Sequence, residues 1–169
     1  LYPIPIKISS TSLMVLDKAS EFKDKVINKR YFMYAALVHD FGKKQTTTVD
    51  ENGIIHSFKH EFEDKEIIKT VIKRVTSDKK LLKYVTNMAT LHMRPYQLFM
   101  DNASIKASNR LFDEAIEPID LIYLAMADDL GRLTCEYVYD LDFLLARYEI
   151  YKEYMNRDYV KGDDLLNDG

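Results

Sequence analysis

Little in this chain announces a function at first reading. Cys135 is the single cysteine, so no internal disulfide can form and a reducing cytoplasm is the expected setting. That cysteine reads as a small, partly buried residue. Five glycines and four prolines are too few for low-complexity linkers and favour long regular elements. No apolar run approaches the roughly 18 residues of a membrane helix, and no signal peptide opens the chain, so no membrane partner is expected. Acidic residues (27) outnumber basic ones (24), which argues against a broad nucleic-acid-binding face and leaves room for a local basic patch. The first residue is Leu1 rather than methionine, which fits a trimmed chain or a piece of something longer.

What is present is an ordinary globular composition. Hydrophobic residues make up 47% of the 169, enough for one domain with a real core. Residues 1–8 (LYPIPIKI) read as extended, because Pro3 and Pro5 disfavour helix before them. Ser9 or Ser10 offers an N-cap to a first helix carrying Leu13, Leu16, Phe22 and Val26 at near-helical spacing. A second helix is expected over residues 30–40, with Phe32, Ala35, Ala36 and His39 on one face and Gly42 as its stop. Residues 43–58 are polar, contain Asn52-Gly53, and read as a loop or short hairpin.

Further apolar stripes follow. Residues 61–75 put Ile67, Ile68, Val71, Ile72 and Val75 inward. Ser77 caps a fourth helix in which Leu81, Val85, Met88 and His92 line up, and Pro95 ends it. Ser104 caps a fifth, through Leu111 and Phe112. Pro118 suits the first turn of a sixth, where Leu121, Leu124, Ala125 and Asp128 share a face. A seventh over residues 141–157 carries Phe143, Leu144, Tyr148, Tyr151 and Met155. Seven helical patterns and no convincing sheet predict an all-α fold, one bundle of about seven helices.

Only four histidines exist, so each can be weighed. His39 and His92 end apolar faces, and Asp128 continues a third. Burying such groups costs free energy unless they are paired or bind a metal. For His92 the plain reading is a hydrogen-bonded core residue, and for Asp128 a helix-end salt bridge. His56 reads as a solvated loop residue, and His60, before Glu61, is divided between helix capping and ligation. His39-Asp40 is the sharper feature. Two neighbours in the last turn before a glycine can offer nitrogen and oxygen to one divalent cation. Lys43 and Lys44 lie just beyond, placed to meet a phosphate oxygen.

The stretch "AALVHDFGK" resembles the signature of the HD superfamily of metal-dependent phosphohydrolases. The longer run is similar to the HD domain of bacterial CCA-adding enzymes, the tRNA nucleotidyltransferases. "SLMVLDKAS" resembles that domain's first helix, and "KHEFEDKEI" its GHE segment. "ASIKASNRLFDEA" is similar to the segment ending in LFD, "LIYLAMADDLGR" to ADxxGR, and "YVKGDDLL" to GxDLL. The likeness spans residues 10–166. It implies an HD domain over residues 1–160, with residues 161–169 as the start of a truncated C-terminal tail.

The resemblance implies metal ligation by His39, Asp40 and Asp128, with His60 and His92 as further ligands. It implies a divalent ion (manganese, nickel, magnesium or zinc). Asp40 and Asp128 would act in catalysis, with Lys43 balancing phosphoryl charge. Asp129 and Arg132 read first as solvated surface and second as a lock on the Asp128 turn. The implied substrate is a phosphomonoester or a 2′,3′-cyclic nucleotide phosphodiester. The implied partners are a phosphorylated small molecule or an RNA 3′ terminus, with tRNA in a longer chain. One element departs from the pattern. The family's first metal-binding histidine stands where "TSLMVLD" has Thr11, and a threonine hydroxyl replaces imidazole poorly as a ligand. The tail reads "GDDLLNDG", with Asp168 in an apolar slot. The alternative is therefore a catalytically degenerate HD module, structural or tRNA-interacting.

Overall fold

Polar caps set where the helices begin. In the computed structural model, Ser9 accepts the Ser12 amide hydrogen at 3.0 Å and starts α1 (Ser10–Phe22). Asn28 accepts from the Tyr31 amide at 3.1 Å and starts α2 (Lys29–Val38). The fourth helix is capped by Asp78 rather than Ser77. Its carboxylate takes both the Lys80 and Leu81 amides at 3.0 Å, a charged acceptor outcompeting the hydroxyl beside it. The structure describes residues 9–41, 47–49, 55–57, 60–132 and 139–156, and of residues 47–49, 55–57 and 60–64 only the backbone.

After α2 comes an antiparallel hairpin of β1 (Thr47–Val49) and β2 (Ile55–Ser57), with Thr48 opposite His56. Then follow α3 (His60–Val75), α4 (Lys79–Leu91), α5 (Arg94–Met100), α6 (Ile105–Glu114), α7 (Pro118–Leu130) and α8 (Asp142–Met155). The class is all-α, as the stripes predict. The short α5 is the helix that the stripes do not show. Pro95 lies in its first turn, where a missing amide hydrogen costs nothing, so the proline begins a helix rather than closing one. Ser104 and Pro118 stand at the starts of α6 and α7 as expected.

α7 is the hub. It packs against α1, α2 and α8, and more lightly against α4 and α5. α2 also packs on α4, α4 on α3, and α6 on α8. Leu121, Ile122, Leu124, Ala125 and Ala127 on α7 are buried, and each large aliphatic side chain there contributes about 2 kcal/mol relative to exposure. Some expected inward positions face solvent. Leu13 is 49% exposed, because the buried line of α1 runs through Ser12, Val15 and Ala19. Val75 and Met155, each the last residue of its helix, are 63% and 58% exposed where the chain leaves the bundle. Among the described residues no helix is long and apolar enough to cross a membrane. Residues 161–169, read as a tail, lie outside the described residues.

Gly131 ends α7 and brings α1 close. A Cβ there would stand 2.7 Å from Val15 Cγ2 and 2.8 Å from the Val15 backbone. Hydrogen therefore fits and a methyl does not.

Candidate metal site

Two helix ends converge on α7. α2 stops at Val38, two residues earlier than expected, and leaves His39 and Asp40 in the turn that follows. α4 stops at Leu91 with His92 as its C-cap. Asp128 lies in the last turn of α7. His39, His92 and Asp128 are buried, while the Asp40 side chain is 18% exposed and marks the side open to solvent.

The two imidazoles are held alike. His39 Nδ1 donates to the Ala36 carbonyl at 2.9 Å, and His92 Nδ1 to the Ala89 carbonyl at 2.6 Å. Each partner is three residues back, one of the carbonyls a helix leaves without an internal partner at its C-terminus. A carbonyl only accepts, so both Nδ1 atoms carry hydrogen, and a neutral ring then presents Nε2 as a bare lone pair. This is the arrangement that orients metal-binding histidines elsewhere.

The neighbours of those Nε2 atoms are also acceptors. His39 Nε2 lies 3.5 Å from Asp40 Oδ2 and 3.3 Å from Asp128 Oδ1. His92 Nε2 lies 3.4 Å from Asp40 Oδ1. That approach is too poorly aligned for a hydrogen bond, and His92 Nε2 is buried without one among the described residues. The ring centroids are 5.1 Å apart, close to perpendicular at 76°. Ligand atoms of His39, Asp40 and His92 all lie within 4.8 Å of one another. Donor atoms at about 2.1 Å from a tetrahedral ion stand roughly 3.4 Å apart. Buried acceptors facing acceptors are unfavourable until a proton or a cation lies between them. The group can therefore hold a metal ion, and its two nitrogens and a carboxylate suit a borderline or hard divalent cation.

Asp128 divides its oxygens. Oδ1 faces His39, and Oδ2 accepts from Arg132 at 2.6 Å, one turn further along the chain. Arg132 also lies over the Tyr96 ring at 5.4 Å, and the Tyr96 hydroxyl donates to the Ala125 carbonyl. Burial alone would raise the Asp128 pKa. Hydrogen bonds and charge from His39 and Arg132 overcome it and hold the carboxyl well below its usual range. Burial likewise works against a charged His39, but the Asp128 hydrogen bond and the Asp40 charge outweigh it and raise the ring above its ordinary value. A proton on His39 Nε2 would bridge to Asp128, and a cation binding there would displace it.

The sequence expectation centres on His39, Asp40 and Asp128 with His92 as a helper. The structure groups His92 with His39 and Asp40, and sets Asp128 beside His39 with its second oxygen on Arg132. Asp129 corrects the solvated reading. It is buried and accepts the Tyr139 amide hydrogen at 2.8 Å. Arg132 also departs from that reading, since its guanidinium is spent on Asp128. The i, i+4 spacing of that pair is the signal that finds it. Thr11 is half-buried on α1, and its hydroxyl is not among the histidine and carboxylate atoms that make up the trio. α3 begins at His60, whose side chain lies outside the described residues, as do Lys43, Lys44, Cys135 and the His56 side chain. Neither a scan against protein-family models nor a search of curated proteins finds a match for this chain.

Proposed function

We propose that this chain is an HD-type, metal-dependent phosphohydrolase domain, a relative or fragment of a CCA-adding enzyme. Its substrate would be a phosphomonoester or a 2′,3′-cyclic nucleotide phosphodiester. The observation that carries this reading is the convergence of buried His39 and His92 with the partly exposed Asp40, both Nδ1 atoms being tied back to helix carbonyls. A divalent ion bound there supplies Lewis acidity to a phosphoryl oxygen and a nucleophile at neutral pH. His39 and His92 would hold it through Nε2, and Asp40 through its carboxylate. Asp128, kept ionised and fixed by Arg132, would hold Oδ1 on the Nε2 side of His39, where the family resemblance makes it a further ligand. A cleft of about 250 Å³ beside Arg132 is lined by Lys18 and by Asp17. Lys43 enters the proposal on the sequence alone.

The second reading is a metal-poor module with a structural or RNA-binding role. Thr11 in the slot of the family's first histidine favours it. Metal content of the purified chain, followed by hydrolysis of bis-(p-nitrophenyl) phosphate and 2′,3′-cyclic AMP with manganese, nickel, magnesium and zinc, separates the two. The enzyme reading expects bound metal and activity that disappears in Asp40→Ala. A folded protein that takes up no cation and hydrolyses neither compound overturns it and leaves the module.

A further inference from the structure

Charge in this chain is segregated along the sequence. Residues 65–83, which follow Glu61, Glu63 and Asp64 at the start of α3, hold seven basic and two acidic residues, a local balance of +5 in a chain of net charge -3. These residues form most of α3 and the start of α4, which pack side by side. The two helices frame an open groove of about 700 Å³, with Lys65 and Lys69 from α3 and Lys79 and Lys83 from α4. Its floor is apolar, from Leu82, Leu91 and Ile116.

The other polar groups of the groove are already used. Thr86 and Thr90 donate their hydroxyls to the Leu82 and Thr86 carbonyls at 2.8 Å. Asn87 donates to the Glu114 carbonyl and accepts from the Ile116 amide, both at 3.0 Å. Glu114, the one carboxylate of the lining among the described residues, is paired with Arg94 at 3.0 Å. Lys69 meets Glu66 of its own helix at 2.6 Å, an exposed pair worth less than about 1 kcal/mol and readily exchanged. For recognition the groove offers ammonium charge flanking an apolar strip.

That chemistry selects among polyanions. Among the described residues the lining has no aromatic ring to stack a base and no guanidinium fork to read one. A phosphate backbone would leave the strip of Leu82, Leu91 and Ile116 uncovered. A helix with leucine-type anchors on one face and carboxylates beside them satisfies both. We propose that the α3–α4 groove is a docking site for an acidic amphipathic helix of a protein partner. The anchors lie on Leu82 and Ile116, and the carboxylates meet Lys65, Lys69, Lys79 and Lys83.

The probe is a labelled synthetic peptide of about 18 residues, with leucine at i, i+3, i+4 and i+7 and glutamate at the flanking positions. Oligoglutamate and oligouridylate of the same length are the controls. Fluorescence anisotropy with the full chain at about 0.1 M salt should give micromolar binding of the glutamate–leucine peptide. Both controls should bind at least about tenfold more weakly. Lys69→Glu with Lys83→Glu should weaken the peptide about tenfold or more, and so should Ile116→Asp, which sits 39% exposed and spares the core. Circular dichroism of each variant keeps folding separate from binding. The proposal is overturned if the peptide does not bind, if either control binds as tightly, or if the folded variants bind like the parent.

Discussion

Two of the carboxylates that α7 buries, Asp120 and Asp128, stand eight residues apart and are surrounded in opposite ways. Asp120, in its first turn, meets only donors. Oδ1 accepts the Ile27 amide at 2.7 Å, and Oδ2 accepts the Asn28 amide at 3.2 Å and the Tyr84 hydroxyl at 2.6 Å. Burial, and then Asp120 itself, drive the Tyr84 pKa far above its usual value, so the phenol stays a donor at any working pH. The positive end of the helix dipole adds to the match. Asp128, in the last turn, faces the negative end of the same dipole and must be held by a titratable ring and a guanidinium. A buried carboxylate whose lone pairs all meet fixed donors ties elements together. One set among other acceptors keeps a place for a proton or an ion.

The contrast is broken most directly at Asp120. Asp120→Ala strands one buried and two part-buried donors and unties the α1–α2 connection and α4 from α7, a loss of about 4 kcal/mol. Urea unfolding of the metal-free protein measures it. Asp128→Asn in the same medium should cost less than half as much, because it also relieves the crowding of acceptors. Equal losses at the two positions would erase the distinction drawn between them.

Metal addition probes the other end. With manganese or zinc at about 100 times its dissociation constant, stability should rise by about 2.7 kcal/mol. Asp40→Ala and His92→Ala should show no rise. The pH slopes should differ in sign between the two states. His39 has a folded pKa above its unfolded value, so its proton stabilises the metal-free fold fully below about pH 6.5. That contribution is lost as pH rises through the folded pKa. Metal competes with the same proton, so its stabilisation grows over that interval. Parallel melting curves with chelator and with metal test this, and slopes of one sign would contradict it.

A smaller effect belongs to the contact that carries the Asp128 end. Gly131→Ala drives a methyl onto Val15 backbone atoms at 2.8 Å, and backbone cannot rotate away. About 2 kcal/mol should be lost. Metal uptake should weaken with it, since α1 is levered off the end of α7 while the Asp120 cluster is untouched. Unchanged metal affinity in a destabilised variant would place the site beyond the reach of that contact.

How much of this can be read from the residues alone follows from what each feature depends on. The caps at Ser9 and Ser104 and the stripe ending in His92 rest on local spacing, and they are legible. α5 is obscured because one proline both ends and begins helices. The Asp120 cluster leaves no mark, since two of its partners are backbone amides about 90 positions away. His39, Asp40 and Asp128 stand out as polar groups on or beside apolar faces. That His92 shares Asp40 with His39, and that Asp128 spends an oxygen on Arg132, depends on how α2 and α4 end against α7. Spacing within one helix cannot carry that.

Thr11 is where the two readings of the site can be separated by adding an atom set rather than removing one. Val15 lies against Gly131, and Phe22 lies against Tyr123 with ring centroids 5.3 Å apart, so α1 runs antiparallel to α7. Thr11, one turn before Val15, therefore sits at the Asp128–Arg132 end and not at the Asp120 end. Thr11→His should add a nitrogen donor there and tighten metal binding about tenfold, roughly 1.4 kcal/mol. Titration calorimetry reads the affinity, and phosphodiester hydrolysis is followed in the same samples. Gains in both mark a hydrolase whose weakest ligand position has been restored. Tighter metal without turnover marks a scaffold that has kept the metal pocket and lost the chemistry. No change in affinity would mean that this turn of α1 does not face the ion, and the alignment of Thr11 with the family's first histidine would fall.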